Sequence, residues 1–167
     1  MQNRIGEFHQ SIIGSVSGWK NLETGNVLDV MNEKKKVAAE IKNKYNTTKG
    51  NHKKTVYDDL ENFLKSHPGF TTYCVEIIPK GAKRYNKPFE PPDNVLKERR
   101  ERNEKIRVID GYSFYELATD QKDALRQLYS ALPEAIALVS QRSASQYAIQ
   151  DKNFSELFRR AFGVDIS

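Results

Sequence analysis

The chain has 167 residues, of which 38% are apolar and 29% charged, with a formal net charge of +5. That length fits one domain spanning 1–167. No run of 18 apolar residues offers a membrane span and no apolar N-terminal segment reads as a signal. The single cysteine, Cys74, excludes an internal disulfide framework and a cysteine-rich zinc site, and is expected to be a buried residue in a reducing, cytoplasmic protein.

Taken in order, Ile5, Phe8, Ile12 and Val16 recur at helical spacing and predict a helix over 3–16. Glu7 lies opposite that stripe. His9 lies near it and is expected to be hydrogen-bonded and half-buried, not a catalyst. His52 and His67 show no metal-ligand spacing with it. Gly14, Gly18 and Gly25 punctuate the next stretch, with Trp19 as a packing anchor. Two apolar-rich runs, 27–31 and 37–41, then flank a polar tip at 32–36 and read as a β-hairpin. Residues 46–51 (NTTKGN) are a loop. Val56, Leu60, Phe63 and Leu64 predict a helix over 52–66 that Pro68-Gly69 ends. Residues 70–78 alternate as a strand, with Glu76 in an apolar setting that demands a partner; a structural salt bridge is favoured over a third site acid.

Four of the six prolines fall in 79–94, which therefore reads as an irregular loop. Residues 94–105 are charged almost throughout and suit a short exposed helix. The stretch 80–107 holds ten Lys/Arg against five Asp/Glu, so 79–105 forms a basic, Pro-rich insertion of the kind a polyanion attracts. A short strand at 106–109 follows. Ser113 with Glu116 reads as a capping box, and Asp120 as the cap of the next helix. Pro133 is expected to open a further helix through Val139, and Phe154 to Phe162 a last one. This C-terminal part is acidic on balance and is expected to pack, and to dimerise, without gripping nucleic acid.

The chemistry concentrates in the hairpin. Asp29 and Glu40 are equidistant from the midpoint of the tip, between Lys34 and Lys35, so a regular antiparallel pair sets them face to face. Lys42 emerges on the same face two residues later, with small Ala38, while Ala39 and Ile41 point away. Opposed carboxylates repel unless a cation sits between them, and hard oxygen ligands suit magnesium. A lysine beside such a pair stabilises developing negative charge or helps an attacking water. A second acid-x-lysine triplet, Glu33-Lys34-Lys35, falls in the tip and reads as solvated turn.

Asp29 followed by Glu40-Ile41-Lys42 resembles the signature of the PD-(D/E)xK nucleases, with Leu28 where a proline often stands. The blocks IGEFHQ (5–10), GW (18–19), AEIKNKYNT (39–47) and VIDGYSFYELATD (108–120) are similar to type II restriction endonucleases that cleave GGNCC. The resemblance implies an α/β fold, a restriction-endonuclease-like core with a mixed central sheet flanked by helices. One strand fewer than that core requires is visible before the middle helix, unless one is hidden. Family members are expected to extend further at the N-terminus.

The activity so implied is Mg2+-dependent hydrolysis of duplex DNA at a short palindrome by a homodimer. Asp29 and Glu40 hold the metal with the main-chain carbonyl of Ile41, and Glu7 is a further candidate ligand. Lys42 assists the water or the transition state. Lys44, Asn46, Thr47, Lys49, Lys83, Arg84, Arg99 and Arg100 are candidate DNA contacts. A repair or junction-resolving nuclease on the same core, and a catalytically inactive DNA-binding protein, are the alternatives.

Overall fold

Period-two alternation over residues 71–78 places one apolar row on each side of a central strand, and helices cover both rows. The structure is a computed structural model that describes residues 2–22, 27–46, 51–140 and 152–166. The elements run α1 (Gln2–Ser15), β1 (Lys20–Asn21), β2 (Val30–Asn32), β3 (Val37–Lys44), α2 (Asn51–Ser66), β4 (Thr71–Ile78) and a single 3-10 turn (Lys80–Ala82). There follow β5 (Asn86–Pro88), β6 (Pro92–Asp93), β7 (Glu98–Arg99), β8 (Ile106–Asp110), α3 (Gly111–Thr119), α4 (Ala124–Ser140) and α5 (Lys152–Phe162).

Among the described residues, six strands form one sheet in the order β1-β2-β3-β4-β8-β5, and β6 pairs with β7 apart from it. β3, β4 and β8 are parallel, while β2 and β5 join antiparallel, so the sheet is mixed. This is the α/β, restriction-endonuclease-like core that the resemblance implied. Tyr73, Val75 and Ile77 face α1, α3, α4 and α5, packing with Ile13, Phe114, Leu125 and Phe158. Cys74 faces the other way, with Ala38, Val56, Tyr57, Leu60 and Val108 under α2. Trp19 locks α1 to this frame: it is buried, meets Phe114 edge to face, and donates from Nε1 to the carbonyl of Ala118 at 3.0 Å.

Several sequence expectations change. The strand missing before the middle helix is β1, two residues long, too short for periodicity to reveal. The Pro-rich stretch is not irregular throughout. Residues 86–88 pair with β8 at the sheet edge, where Pro88 has no ladder donor to lose, and Phe89 is buried beside them. Residues 94–105 are not a helix: a turn at 94–97 closes the β6–β7 hairpin. The cap of α3 is Asp110, not Ser113; Asp110 Oδ1 accepts from the Ser113 N–H at 2.9 Å. Gly111 lets α3 start directly against β4, since a Cβ there would lie 2.6 Å from the Ile77 carbonyl oxygen. Asp120 is the left-handed C-cap of α3, at φ 57°, instead of the N-cap of the next helix. Pro133 lies inside α4, which continues through it at the loss of one backbone donor.

Asp110 is fully buried and serves two donors, the Ser113 N–H and, through Oδ2, the Tyr85 N–H at 2.7 Å. Asp110→Ala strands both and is expected to cost about 2–4 kcal/mol in urea unfolding, against under about 1 kcal/mol for Ser113→Ala.

Candidate active site

The β2–β3 register sets the site. Val30 pairs with Ala39, Met31 with Ala38 and Asn32 with Val37, so one step back brings Asp29 opposite Glu40. The turn is fixed by the Lys35 N–H donating to Asn32 Oδ1 at 2.9 Å and by Lys36 at φ 55°. Lys35 Nζ reaches Asp120 Oδ2 at 2.6 Å and the Leu117 carbonyl at 3.0 Å, staking the tip to α3. Glu33 of the second acid-x-lysine triplet is exposed and pairs with Lys20, as solvated turn requires.

Asp29 sits just before β2. Its N–H donates to the Ala39 carbonyl at 3.0 Å, and its Oδ2 accepts from the Ile41 N–H at 2.6 Å. The Asp29 and Glu40 carboxyl groups face each other across the β2–β3 ladder, close enough to influence each other's ionisation. Lys42 Nζ donates to Glu40 Oε1 at 2.5 Å. All three side chains are half-buried where the apolar face of Ala38, Cys74 and Val108 gives out towards the carboxyl end of β3.

Burial, then the Asp29 charge, pushes Glu40 up from 4.5 to about 7. Asp29 is raised too, by burial, although the Ile41 N–H and the Lys42 charge oppose this. Burial alone would lower Lys42, but the Glu40 and Asp29 charges outweigh it and hold the ammonium above its ordinary value. Cys74, beside Glu40 in register, is fully buried and pushed up to about 12, which keeps it an inert thiol.

Helix α1 contributes Gln10, whose side chain approaches Asp29. Glu7 is exposed one turn earlier, and among the described residues no group of three metal-ligating side chains forms, so Glu7 does not join the pair. His9 is buried: Nδ1 meets Tyr115 Oη at 2.7 Å, and burial lowers it to about 4, so it is a neutral packing residue. Gln10 belongs to the IGEFHQ block but carries no charge to mark it, so sequence reasoning passed over it.

Glu76 adjoins Lys42 in register and is buried. Its partners are the Tyr85 hydroxyl, which donates to it, and Lys53 Nζ at 3.5 Å, so the structural pairing expected of it holds. From Glu76 a cleft of about 680 Å³ opens outwards, lined by Tyr45, Lys53, Lys80, Lys87, Arg99 and Arg102 among others. Lys53 and Tyr45 escaped the sequence reading because a helix start and a strand end carry no sign that they meet.

The candidate DNA contacts separate accordingly. Lys44 and Asn46 are exposed at the end of β3, while Thr47 and Lys49 lie outside the described residues. Lys83 is exposed beyond the 3-10 turn. Arg84 binds Glu116 at 2.5 Å and stacks on Tyr112, clamping α3. Arg99 lines the cleft and donates to the Glu90 carbonyl at 2.5 Å. Arg100 is structural instead of a base reader: it pairs with Asp58 on α2 and lies over the Tyr57 ring.

Residues 1–140 match the Eco47II restriction endonuclease family. The chain belongs to that family. It is 42% identical over 170 aligned positions to the type II restriction enzyme Eco47II of Escherichia coli, covering 98% of this chain and 71% of that protein. It is 28% identical to the type II restriction enzyme Sau96I of Staphylococcus aureus, covering 95% of this chain and 62% of that protein. No solved structure matches it. The chain is thus a type II site-specific restriction endonuclease, a class that acts on duplex DNA, and among the described residues no helix is long and apolar enough to cross a membrane.

A carboxyl group whose pKa is raised on folding binds its proton more tightly in the folded state, so stability is full below the unfolded value and declines as pH rises. In EDTA the protein is expected to lose stability from pH 4.5 to about 7, the span set by Glu40. The loss is at most about 3 kcal/mol. Thermal melts of Glu40→Gln across that range should be flatter, and its Tm at pH 8 higher than that of the parent.

Proposed function

We propose that the chain cuts duplex DNA with Mg2+ at a short palindromic site of the GGNCC kind, as a cytoplasmic homodimer whose two-fold matches that of the site. In this reading residues 1–167 form one PD-(D/E)xK nuclease domain, and 79–105 are its basic insertion. The observation that carries the reading is the opposed Asp29–Glu40 pair, with Lys42 on Glu40, one strand away from Glu76 and the cationic cleft that Glu76 lines.

The donor set fits a hard divalent ion: two half-buried carboxylates from adjacent strands and a nearby main-chain oxygen. Asp29 and Glu40 would hold it. An extended residue sends its N–H and carbonyl to one edge, and the Ile41 N–H points at Asp29, so the Ile41 carbonyl is on the same side as a third oxygen. Bound there, Mg2+ supplies positive charge against the phosphate and lowers the pKa of a coordinated water.

The protein groups do the rest. Lys42, held protonated by its carboxylates, directs Nζ at a non-bridging phosphate oxygen, where charge builds as water attacks phosphorus and the opposite P–O bond breaks. Gln10 lies beside Asp29 and helps to orient it. Lys44 and Asn46, at the end of the catalytic strand, sit nearest the cut phosphate in this reading, and Thr47 and Lys49 follow them in sequence as further candidate DNA contacts. Lys53, Lys80, Lys87, Arg99 and Arg102 line the cleft, where they neutralise the flanking backbone. Leu138 on α4 and Leu157 on α5 are exposed apolar side chains that a second copy would cover.

The test is digestion of a long duplex of known sequence in Mg2+ and in EDTA. Discrete fragments with Mg2+ alone, ending at GGNCC, are expected. Lys42→Ala should slow cutting at least about 100-fold with DNA binding retained. Smearing, or cutting confined to branched DNA, would replace sequence recognition by structure recognition, and binding without cutting would leave a DNA-binding protein.

A further inference from the structure

The β6–β7 hairpin is built as a rigid arm with an apolar end. Asp93, only 2% exposed, fixes the tip through Oδ1, which accepts from the Val95 N–H at 3.0 Å and the Leu96 N–H at 3.2 Å. Lys97 completes the turn at φ 56°. The stem pairs Pro92 with Arg99 and Asp93 with Glu98, and the Arg100 N–H donates to the Pro91 carbonyl at 3.0 Å. Arg100 then binds Asp58 and faces Asp93 at 3.8 Å, while Lys54 lies 4.0 Å from Asp93, so ion pairs bolt the arm to α2. Sequestering those charges is costly, and a solvated loop would not need them.

What this framework holds out is Val95, 80% exposed, and Leu96, 64% exposed. Neither belongs to either apolar cluster of the fold, so neither contributes appreciably to its stability. Around them the exposed charge is mixed, with Glu98 and Glu101 among the cations. Lys97 adjoins the tip, Arg99 and Arg102 lie on and just after the stem, and the stem residues Pro92 and Arg99 wall the cleft that leads back to Glu76, the register partner of Lys42 on the next strand. An apolar point at the rim of a cleft whose cations, Lys53, Lys80, Lys87, Arg99 and Arg102, outnumber its acids, Glu76 and Glu90, matches nucleic acid better than an apolar protein surface.

We propose that Val95 and Leu96 form a wedge that enters a groove of the bound duplex and partly unstacks one base step. The inference rests on the DNA-cutting reading above. The stem and ion pairs hold the wedge in place before binding, so little ordering entropy is lost on contact. Apolar side chains pushed between base pairs kink duplexes, and the sequence dependence of that deformation adds specificity at positions that no polar group reads.

The experiment uses the full chain with Ca2+ in place of Mg2+, and duplexes centred on GGNCC carrying 2-aminopurine in turn at the centre and at each flanking position. Binding is followed by anisotropy, unstacking by 2-aminopurine emission. Wild type is expected to bind and to raise emission several-fold at one position. Val95→Ser with Leu96→Ser should abolish the rise and weaken binding roughly ten- to a hundredfold. Its melting temperature should be unchanged, and Leu96→Phe should keep the signal. Undiminished emission in the double variant, or no rise with wild type bound, overturns the wedge while leaving the DNA reading intact. Absence of any binding overturns that reading and the wedge with it. A double variant that sediments as a monomer where wild type is a dimer overturns the wedge by assigning the tip to contacts between copies.

Discussion

The site depends on one register. Pairing Val30 with Ala39 leaves no choice but to bring Asp29 up to Glu40, and two buried carboxyl groups in contact cannot both ionise without help. The fold meets this by setting Lys42 against Glu40 and giving Asp29 the Ile41 N–H. Every element around the hairpin serves that placement. Lys35 stakes its tip to α3, Trp19 ties α1 to the same helix, and β4 closes the other edge of β3. A local repulsion retained at such structural expense is the mark of a site organised for chemistry.

The carboxyl ends of the three parallel strands show how neighbours set the duty of like residues. Lys42, Glu76 and Asp110 lie in consecutive register across β3, β4 and β8. Lys42 faces the reactive pair. Glu76, held by Tyr85 and Lys53, forms the inner wall of the cleft. Asp110 is turned into the protein and spends both oxygens on backbone donors. Ligands of open α/β sheets gather at the carboxyl ends of the strands, and here that end carries both the acids and the cationic cleft.

Positive charge divides in the same way. The basic excess of residues 80–107 is real, but much of it is structural. Arg84 clamps α3, Arg100 anchors the hairpin to α2, and Arg107 is engaged by Asn86 and Glu104. Lys80, Lys87, Arg99 and Arg102 line the cleft. Planar arginines that find aromatic rings and carboxylates are drawn into the frame, whereas hydrated lysines stay at the surface.

Local pattern alone determined how the proposed site comes together, because hairpin symmetry about a short tip needs only counting: Asp29 opposite Glu40, and Lys42 two residues on. It also determined α1, α2, β4 and β8, whose apolar periodicities are long or regular enough to read, and the AEIKNKYNT block carried the family. Tertiary structure decided whatever rests on contacts distant in sequence. β1 exists because β2 offers it an edge. Residues 86–88 become a strand because β8 is free to pair, and residues 98–99 because β6 is. Asp110 displaces Ser113 as the cap because Tyr85 supplies it with a second donor. Gln10 instead of Glu7 meets Asp29, and Arg100 is withdrawn from the DNA face by Asp58. Periodicity and spacing report which face a residue takes within its own element, while the identity of its partner depends on how elements pack, and that is where an exposed charge and a buried ion pair part company.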